Sequence, residues 1–279
     1  MRVVVGLDGT PYADAATRVA CCLATPVSAT VVGVAVVDQP GIEASSHGAG
    51  VGAYAYARMI REQRFADSSK KAAAFLETFD GYCREVGAEC ELANRAGVPF
   101  QCILDEGRYA DLIVVGSRTH FHYETRESSG DTLRRLMEVC ACPVLAVPQE
   151  ATGCPRHAIV ANDGSFEAAR AMRAFVALTA CAKNPPSVTL VHVGEGSDED
   201  GQVQLETARR YVASYGLDVE IERRQGNPSE QIEAAALAHE DCMIVMGAYG
   251  RRGVIGKIFF GSTAAAIVEH QRVPLFVYH

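Results

Sequence analysis

Several things are missing from this chain, and each absence removes a class of function. No apolar run approaches the ~20 residues needed to span a bilayer, so no membrane role is expected. The formal net charge is -8, which argues against a general nucleic-acid surface, because such surfaces must neutralise phosphates. The 10 cysteines include no C-x-x-C, so the spacing of a zinc or dithiol site is absent. Most lie among apolar neighbours, as in the MIVM after Cys242, and read as small buried hydrophobes in a reducing compartment. No nucleophile, base and acid constellation is visible, and no P-loop Gly-Lys-Ser/Thr. The first residues, MRVVVGLDG, enter strand-like sequence at once and leave no room for a signal peptide, so a cytoplasmic location is expected.

What is present describes a globular protein. The 279 residues are 48% hydrophobic and 22% charged, enough for one large or two ordinary domains. Val3–Gly9 is apolar until Asp8, as in a strand covered on both faces of a parallel sheet. A helix is predicted from about Tyr12 to Ala24, then a buried strand over Ala29–Asp38. A Gly/Ala-rich insertion follows, at about 39–64, and its part from Gly41 to Tyr56 is expected to be mobile. The spacing of Ala72, Leu76, Phe79, Cys83 and Val86 predicts a helix over Phe65–Val86. AECELANRAG is a third strand, Pro99 opens a helix, and DLIVVG and CPVLAVP supply strands four and five.

After the polar linker QEATGCPR the same order begins again. HAIVANDGS matches VVVGLDGT, with Asp163 standing where Asp8 stood, and SVTLVHVGEG matches the second strand. Leu205, Ala208, Val212 and Tyr215 mark the long helix, Asn227-Pro228-Ser229-Glu230 is a helix start, and CMIVMG and VPLFVYH close the repeat. Gly116 to Gly130 and Gly247 to Gly261 are both 14 positions, and the following steps to Pro143 and Pro274 are both 13. The chain is therefore an α/β protein of two tandem domains, 1–150 and 155–279. Each is a doubly wound five-stranded parallel sheet, Rossmann-like, with helices on both faces. Ligands of such sheets sit beyond the carboxyl ends of the strands, which puts Asp163 and Gly247 at one crevice.

The stretch Gly247–Thr263, GAYGRRGVIGKIFFGST, carries the strongest chemical signal. Gly247 and Gly250 permit a tight turn off the strand, and Gly261, Ser262 and Thr263 put amides and hydroxyls at a helix start suited to phosphate. Arg251, Arg252 and Lys257 lie between them with no acid, a sum of +3. The matching first-repeat stretch, Gly116–Thr132, has Thr119 for the second glycine and Asp131 after Gly130, and its charges sum to -1. A carboxylate ~4 Å from a phosphate costs about 4 kcal/mol at a near-surface effective dielectric, so no triphosphate is expected there. His120 and His122 form the one candidate metal pair, with Glu124 or Glu127 as a third ligand; an ordinary solvated loop is the alternative. His47 and His192 have no evident partner.

Over nearly its whole length the sequence resembles the universal stress protein family in its tandem form. Three features carry the likeness: Asp-Gly-Thr/Ser after strand one (Asp8, Asp163), Gly-x-Pro before helix three (Gly97, Pro99; Gly226, Pro228), and the glycine motif. In ATP-binding members that motif is Gly-x2-Gly-x9-Gly-Ser/Thr, whereas ten residues separate Gly250 from Gly261 here. The resemblance implies an adenine nucleotide, ATP with magnesium, in the second repeat. Asp163 would bond the adenine, and Val193, Met246 and Gly247 would line base and ribose. Gly250, Gly261, Ser262 and Thr263 would meet the phosphates. It also implies an intrachain pseudo-dimer through the fifth strands, with room for two chains to associate. A scaffold that binds no nucleotide, and a slow ATPase or metal-assisted hydrolase, remain open as alternatives.

Overall fold

The computed structural model describes residues 1–44, 54–121, 131–194, 199–248, 262–270 and 272–279. Gly250, Gly261, the three cations between them, His122, Glu124, Glu127 and the middle of the Gly/Ala-rich insertion lie outside the described residues.

In the first half, β1 (Arg2–Leu7), β2 (Thr30–Asp38), β3 (Cys90–Gly97), β4 (Leu112–Gly116) and β5 (Val144–Val147) alternate with helices. These are α1 (Pro11–Ala24), α2 (Gln39–Ala44), α3 (Tyr54–Val86), α4 (Pro99–Gly107) and α5 (Asp131–Val139). The second half repeats the pattern with β6 (His157–Ala161), β7 (Ser187–Val193), β8 (Val219–Arg224), β9 (Cys242–Gly247) and β10 (Leu275–Tyr278). Its helices are α6 (Phe166–Thr179), α7 (Glu199–Ala213), α8 (Pro228–Leu237) and α9 (Ser262–His270). The ten strands form one sheet in the order β3-β2-β1-β4-β5-β10-β9-β6-β7-β8. Neighbours within each half are parallel. At the centre β5 and β10 run antiparallel, pairing Leu275 with Ala146, Phe276 with Leu145 and Val277 with Val144.

Period-two patterning explains why the strands are apolar throughout. Val3, Val5 and Leu7 pack on one face under α1 and α3, while Val4 packs on the other, where Phe100 and Ile103 of α4 and Leu133 and Leu136 of α5 also lie. The second half divides its helices in the same way, with Phe175 of α6 and Leu205 of α7 on the first face and Ile232 of α8 and Ile267 of α9 on the second. The outermost strands are different. β3 and β8 expose residues such as Glu91, Arg95, Glu220 and Arg223, and charge on an edge strand discourages pairing with other chains.

Local chemistry fixes the helix starts. Thr10 and Ser165 cap α1 and α6, accepting from Ala13 N (3.3 Å) and Ala168 N (3.1 Å). Asn227 caps α8 by accepting from Ser229 N at 3.0 Å. Three features depart from expectation. The residues after β2 first form α2, where Asp38 accepts from Gly41 N at 3.1 Å. The long helix α3 starts at Tyr54, well before Phe65, because YAYARMIREQ is rich in helix formers. Both ends of the stretch expected to be mobile are thus helical. The third departure is covalent: Cys22 of α1 and Cys154 of the connector form a disulfide, with Cα atoms 5.5 Å apart. The reading of all ten cysteines as reduced hydrophobes is corrected accordingly. The others are free thiols, five of them buried.

At the start of β6 a polar cluster enters the sheet. His157 lies 2.6 Å from Ser187 Oγ and 3.0 Å from Thr189 Oγ1, and its ring stacks on His239 with centroids 3.8 Å apart. Burial, then the adjacent His239, push the His157 pKa below its ordinary 6.5, against opposing pulls from Glu220 and Asp218. A histidine with a depressed folded pKa binds its proton more tightly when unfolded, so the native state loses stability as pH falls through 6.5 toward the folded value. Urea unfolding followed by circular dichroism should show a midpoint that drops across that window. The His157→Gln variant should show a flatter pH dependence.

Candidate functional site

The sheet order places a switch point in each half. From β6 the chain passes to β7 on one side and later returns to β9 on the other, leaving a crevice past the carboxyl ends of β6 and β9. The same holds for β1 and β4. The two crevices have the same frame and different contents.

In the first half the strand-one carboxylate is bonded to the start of the chain's own loop after β4. Asp8 is only 5% exposed. Its Oδ1 accepts from Thr10 N (3.0 Å) and Thr10 Oγ1 (2.6 Å), and its Oδ2 accepts from His120 N at 2.5 Å. Burial pushes the Asp8 pKa above the ordinary carboxylate value, with those bonds opposing. Phe121 follows, buried against Gly6, where an added Cβ would lie 2.9 Å from its Cζ. Thr119, the residue standing for the motif's second glycine, is buried too, and its hydroxyl has no hydrogen-bond partner among the described residues. Phe121 thus packs against β1 near the end of the strand that leads to Asp8. The signal was readable, since Phe121 lies five positions after Gly116 and Arg252 lies five after Gly247.

In the second half the equivalent carboxylate is more open. Asp163 is part-exposed, and its Oδ1 accepts from Ser165 N at 2.9 Å. Asn162, which replaces Leu7, accepts from Gly164 N at 2.9 Å through its side chain. Its carbonyl accepts from His192 Nδ1 at 2.8 Å, which gives His192 a structural partner. The turn needs Gly164, whose φ is +77°. A Cβ there would also meet Gln204 Oε1 of α7, which leans over this turn as Phe75 of α3 leans over Gly9.

The remaining expected residues divide into three groups. Val193 ends β7 and Met246 lies one residue before the end of β9, on either side of β6, and both pack with the same apolar cluster, so the sheet brings them to one end with Asp163. Gly247 ends β9, and a Cβ on it would lie 2.8 Å from the backbone carbon of Glu167. Its bareness lets α6 approach the strand, a packing role beside any ligand role. Ser262 and Thr263 open α9, with Ser262 exposed and no acid in the first turn. Ala264 and Ile267 fix that helix to the sheet, and Glu233 of α8 holds its far end through both carboxylate oxygens, each 2.8 Å from His270 Nδ1. Among the described residues no cluster of three or more His, Cys, Asp or Glu could hold a metal.

In the second half a part-exposed carboxylate, the apolar ends of two strands and an acid-free helix start lie at one end of the sheet. In the first half Phe121 is buried against β1. Phe121→Ala should therefore cost about 3–5 kcal/mol, the usual penalty for emptying a buried aromatic site. A lower urea midpoint with an unchanged slope is the expected result; a loss under about 1 kcal/mol would mean Phe121 is not seated against β1.

Comparison with known proteins agrees with this frame. The model of the universal stress protein family matches residues 1–148 and again 155–279. A universal stress protein of Synechocystis sp. is 21% identical over 288 residues, covering 99% of both chains. The crystal structure of a universal stress protein from Archaeoglobus fulgidus superposes with a TM-score of 0.67 at 18% identity, covering 99% of this chain and 97% of that one. One from Pseudomonas aeruginosa, described as a putative universal stress protein, gives 0.58 at 15%, covering 99% and 92%. A doubly wound frame built twice, with Asp-Gly-Thr/Ser at both first turns and the family model matched by each half, places the chain in the universal stress protein family.

Proposed function

We propose that this protein is a stress-response regulator that binds one adenine nucleotide, ATP with magnesium, in its second half. The observation that carries the reading is the contrast between the two strand-one aspartates. Asp8 is sealed by Thr10 and the His120 amide, whereas Asp163 is part-exposed at the end of β6. A part-exposed carboxylate there can accept from the exocyclic amine of adenine, with Val193 and Met246 as apolar neighbours for the ring. Ser262, Thr263 and the α9 amides supply phosphate donors, and Gly250, Gly261 and the three cations of the preceding stretch complete the set in sequence. Magnesium would neutralise further phosphate charge. No residue is assigned a catalytic step. In this reading the protein works in the cytoplasm as a pseudo-two-fold monomer, its halves joined through β5 and β10.

A scaffold without nucleotide is the second reading. It is favoured by Phe166, which is 82% exposed beside the Asp163 turn, an apolar ring available to a protein partner.

Titration calorimetry with ATP and magnesium separates the two. Binding near one per chain is expected, abolished by Ser262→Asp, which puts a carboxylate beside the phosphates, and weakened by Asp163→Asn. Asp131→Ser should create no second site, because the His120 amide still bonds Asp8. A stoichiometry near two would reject the asymmetric model, and no heat at all would favour the scaffold.

A further inference from the structure

The Cys22–Cys154 disulfide lies where the halves meet, and its position has a geometric consequence independent of any nucleotide. Beside it is a small cavity of about 50 Å³, lined by Met1, Cys22 and Leu112 from the first half and by Phe175, Met243 and Phe276 from the second. The connector, residues 148–156, is tied to α1 by the disulfide and by Arg18, whose Nη2 donates to the Ala151 carbonyl at 3.4 Å. At its far end Arg156 N donates to Asp241 O at 2.7 Å, in the second half.

Without the disulfide, nine residues separate Val147 of β5 from His157 of β6, and they could span roughly 30 Å when extended. With it, only Pro155 and Arg156 lie between the tethered Cys154 and β6, a reach of about 10 Å. The bridge thus obliges the second half to sit against the α1 of its own chain. The seam itself carries no such obligation. β5 and β10 meet through short antiparallel segments whose three registered pairs could equally be made by β10 of a second copy.

We propose that Cys22–Cys154 is a redox lock on this seam, and that the partner it excludes is a second copy of this chain. Closed, it confines β5 and β10 to pairing within one chain. Opened, it lets the halves exchange, so that β5 of each chain pairs with β10 of the other. A dithiol opens it. One thiolate attacks a sulfur of the bridge and forms a mixed disulfide, releasing the other cysteine as a thiolate. The second thiol of the reagent then displaces the bound cysteine. Two electrons and two protons pass to Cys22 and Cys154, and the reagent leaves as a disulfide. Both cysteines are half-buried, within reach of solvent. In a reducing compartment the open form is the resting one, and oxidation closes the lock.

Exchange leaves a covalent signature. In an exchanged dimer, Cys154 of each chain precedes a β6 seated on the other chain, so it lies beside that chain's Cys22. The experiment uses the full chain carrying Cys181→Ser, which removes an exposed thiol able to link chains by itself. Oxidised protein should have the mass of one chain by light scattering at every concentration. With excess dithiothreitol the mass should double as concentration rises. Removing the reductant at high concentration should then yield a dimer on a non-reducing gel, with the Cys22–Cys154 peptide joining two chains. Cys22→Ser and Cys154→Ser, checked for folding by circular dichroism, should dimerise without reductant and resist covalent trapping. Reduced Cys181→Ser protein that stays monomeric throughout, or a dimer linked through other cysteines, overturns the proposal. That comparison stands even if both serine variants fail to fold.

Discussion

The antiparallel contact between Val144–Val147 and Leu275–Tyr278 is the constraint on which the molecule depends. A doubly wound sheet of five parallel strands ends at its fifth strand in a row of unpaired amides and carbonyls, in strands that are apolar on both faces. Each half here solves the other's problem. The pairing converts two such edges into the middle of one sheet and moves the remaining edges out to β3 and β8, where charged side chains guard them. The core then runs across the seam, since residues of both halves share each apolar cluster.

With the frame secured twice over, the two crevices can diverge. The fold sets where the strand ends and the turn glycines lie, and it is indifferent to what occupies the space between them. In the first half a buried aromatic packs on Gly6 and a backbone amide bonds Asp8, so the start of that loop contributes to stability. In the second half Asn162 and Gln204 surround the turn with hydrogen-bonding groups, and the carboxylate keeps access to solvent.

Much of the frame was legible in the sequence because burial on both faces leaves continuous apolar runs, and equal spacings betray a duplication. The caps at Asn227 and Ser165 are local, so residue type and position sufficed. The early start of α3 was obscured because its first turns are rich in alanine and glycine neighbours that also suit a loop. The Cys22–Cys154 bridge could not be read, since the partners stand 132 residues apart and only the folded connector brings them together. The packing of Phe121 lay between these cases. Asp131 led only to the expectation that no triphosphate binds there, and the reach of Phe121 to Gly6 depends on tertiary geometry.

Gly116 and Gly247 carry a consequence for how such chains are classified. At Gly116 a Cβ would lie 2.5 Å from Tyr12 Cβ, and at Gly247 it would press on the backbone of Glu167. Both halves need a bare residue there to dock their first helix, whether or not a ligand is bound. The opening glycine of the motif is therefore a marker of architecture, and pattern matching that scores it as evidence of binding will count inert halves as competent. Diagnostic weight belongs to positions that the scaffold leaves free to vary, such as the fifth residue beyond that glycine, phenylalanine in one half and arginine in the other.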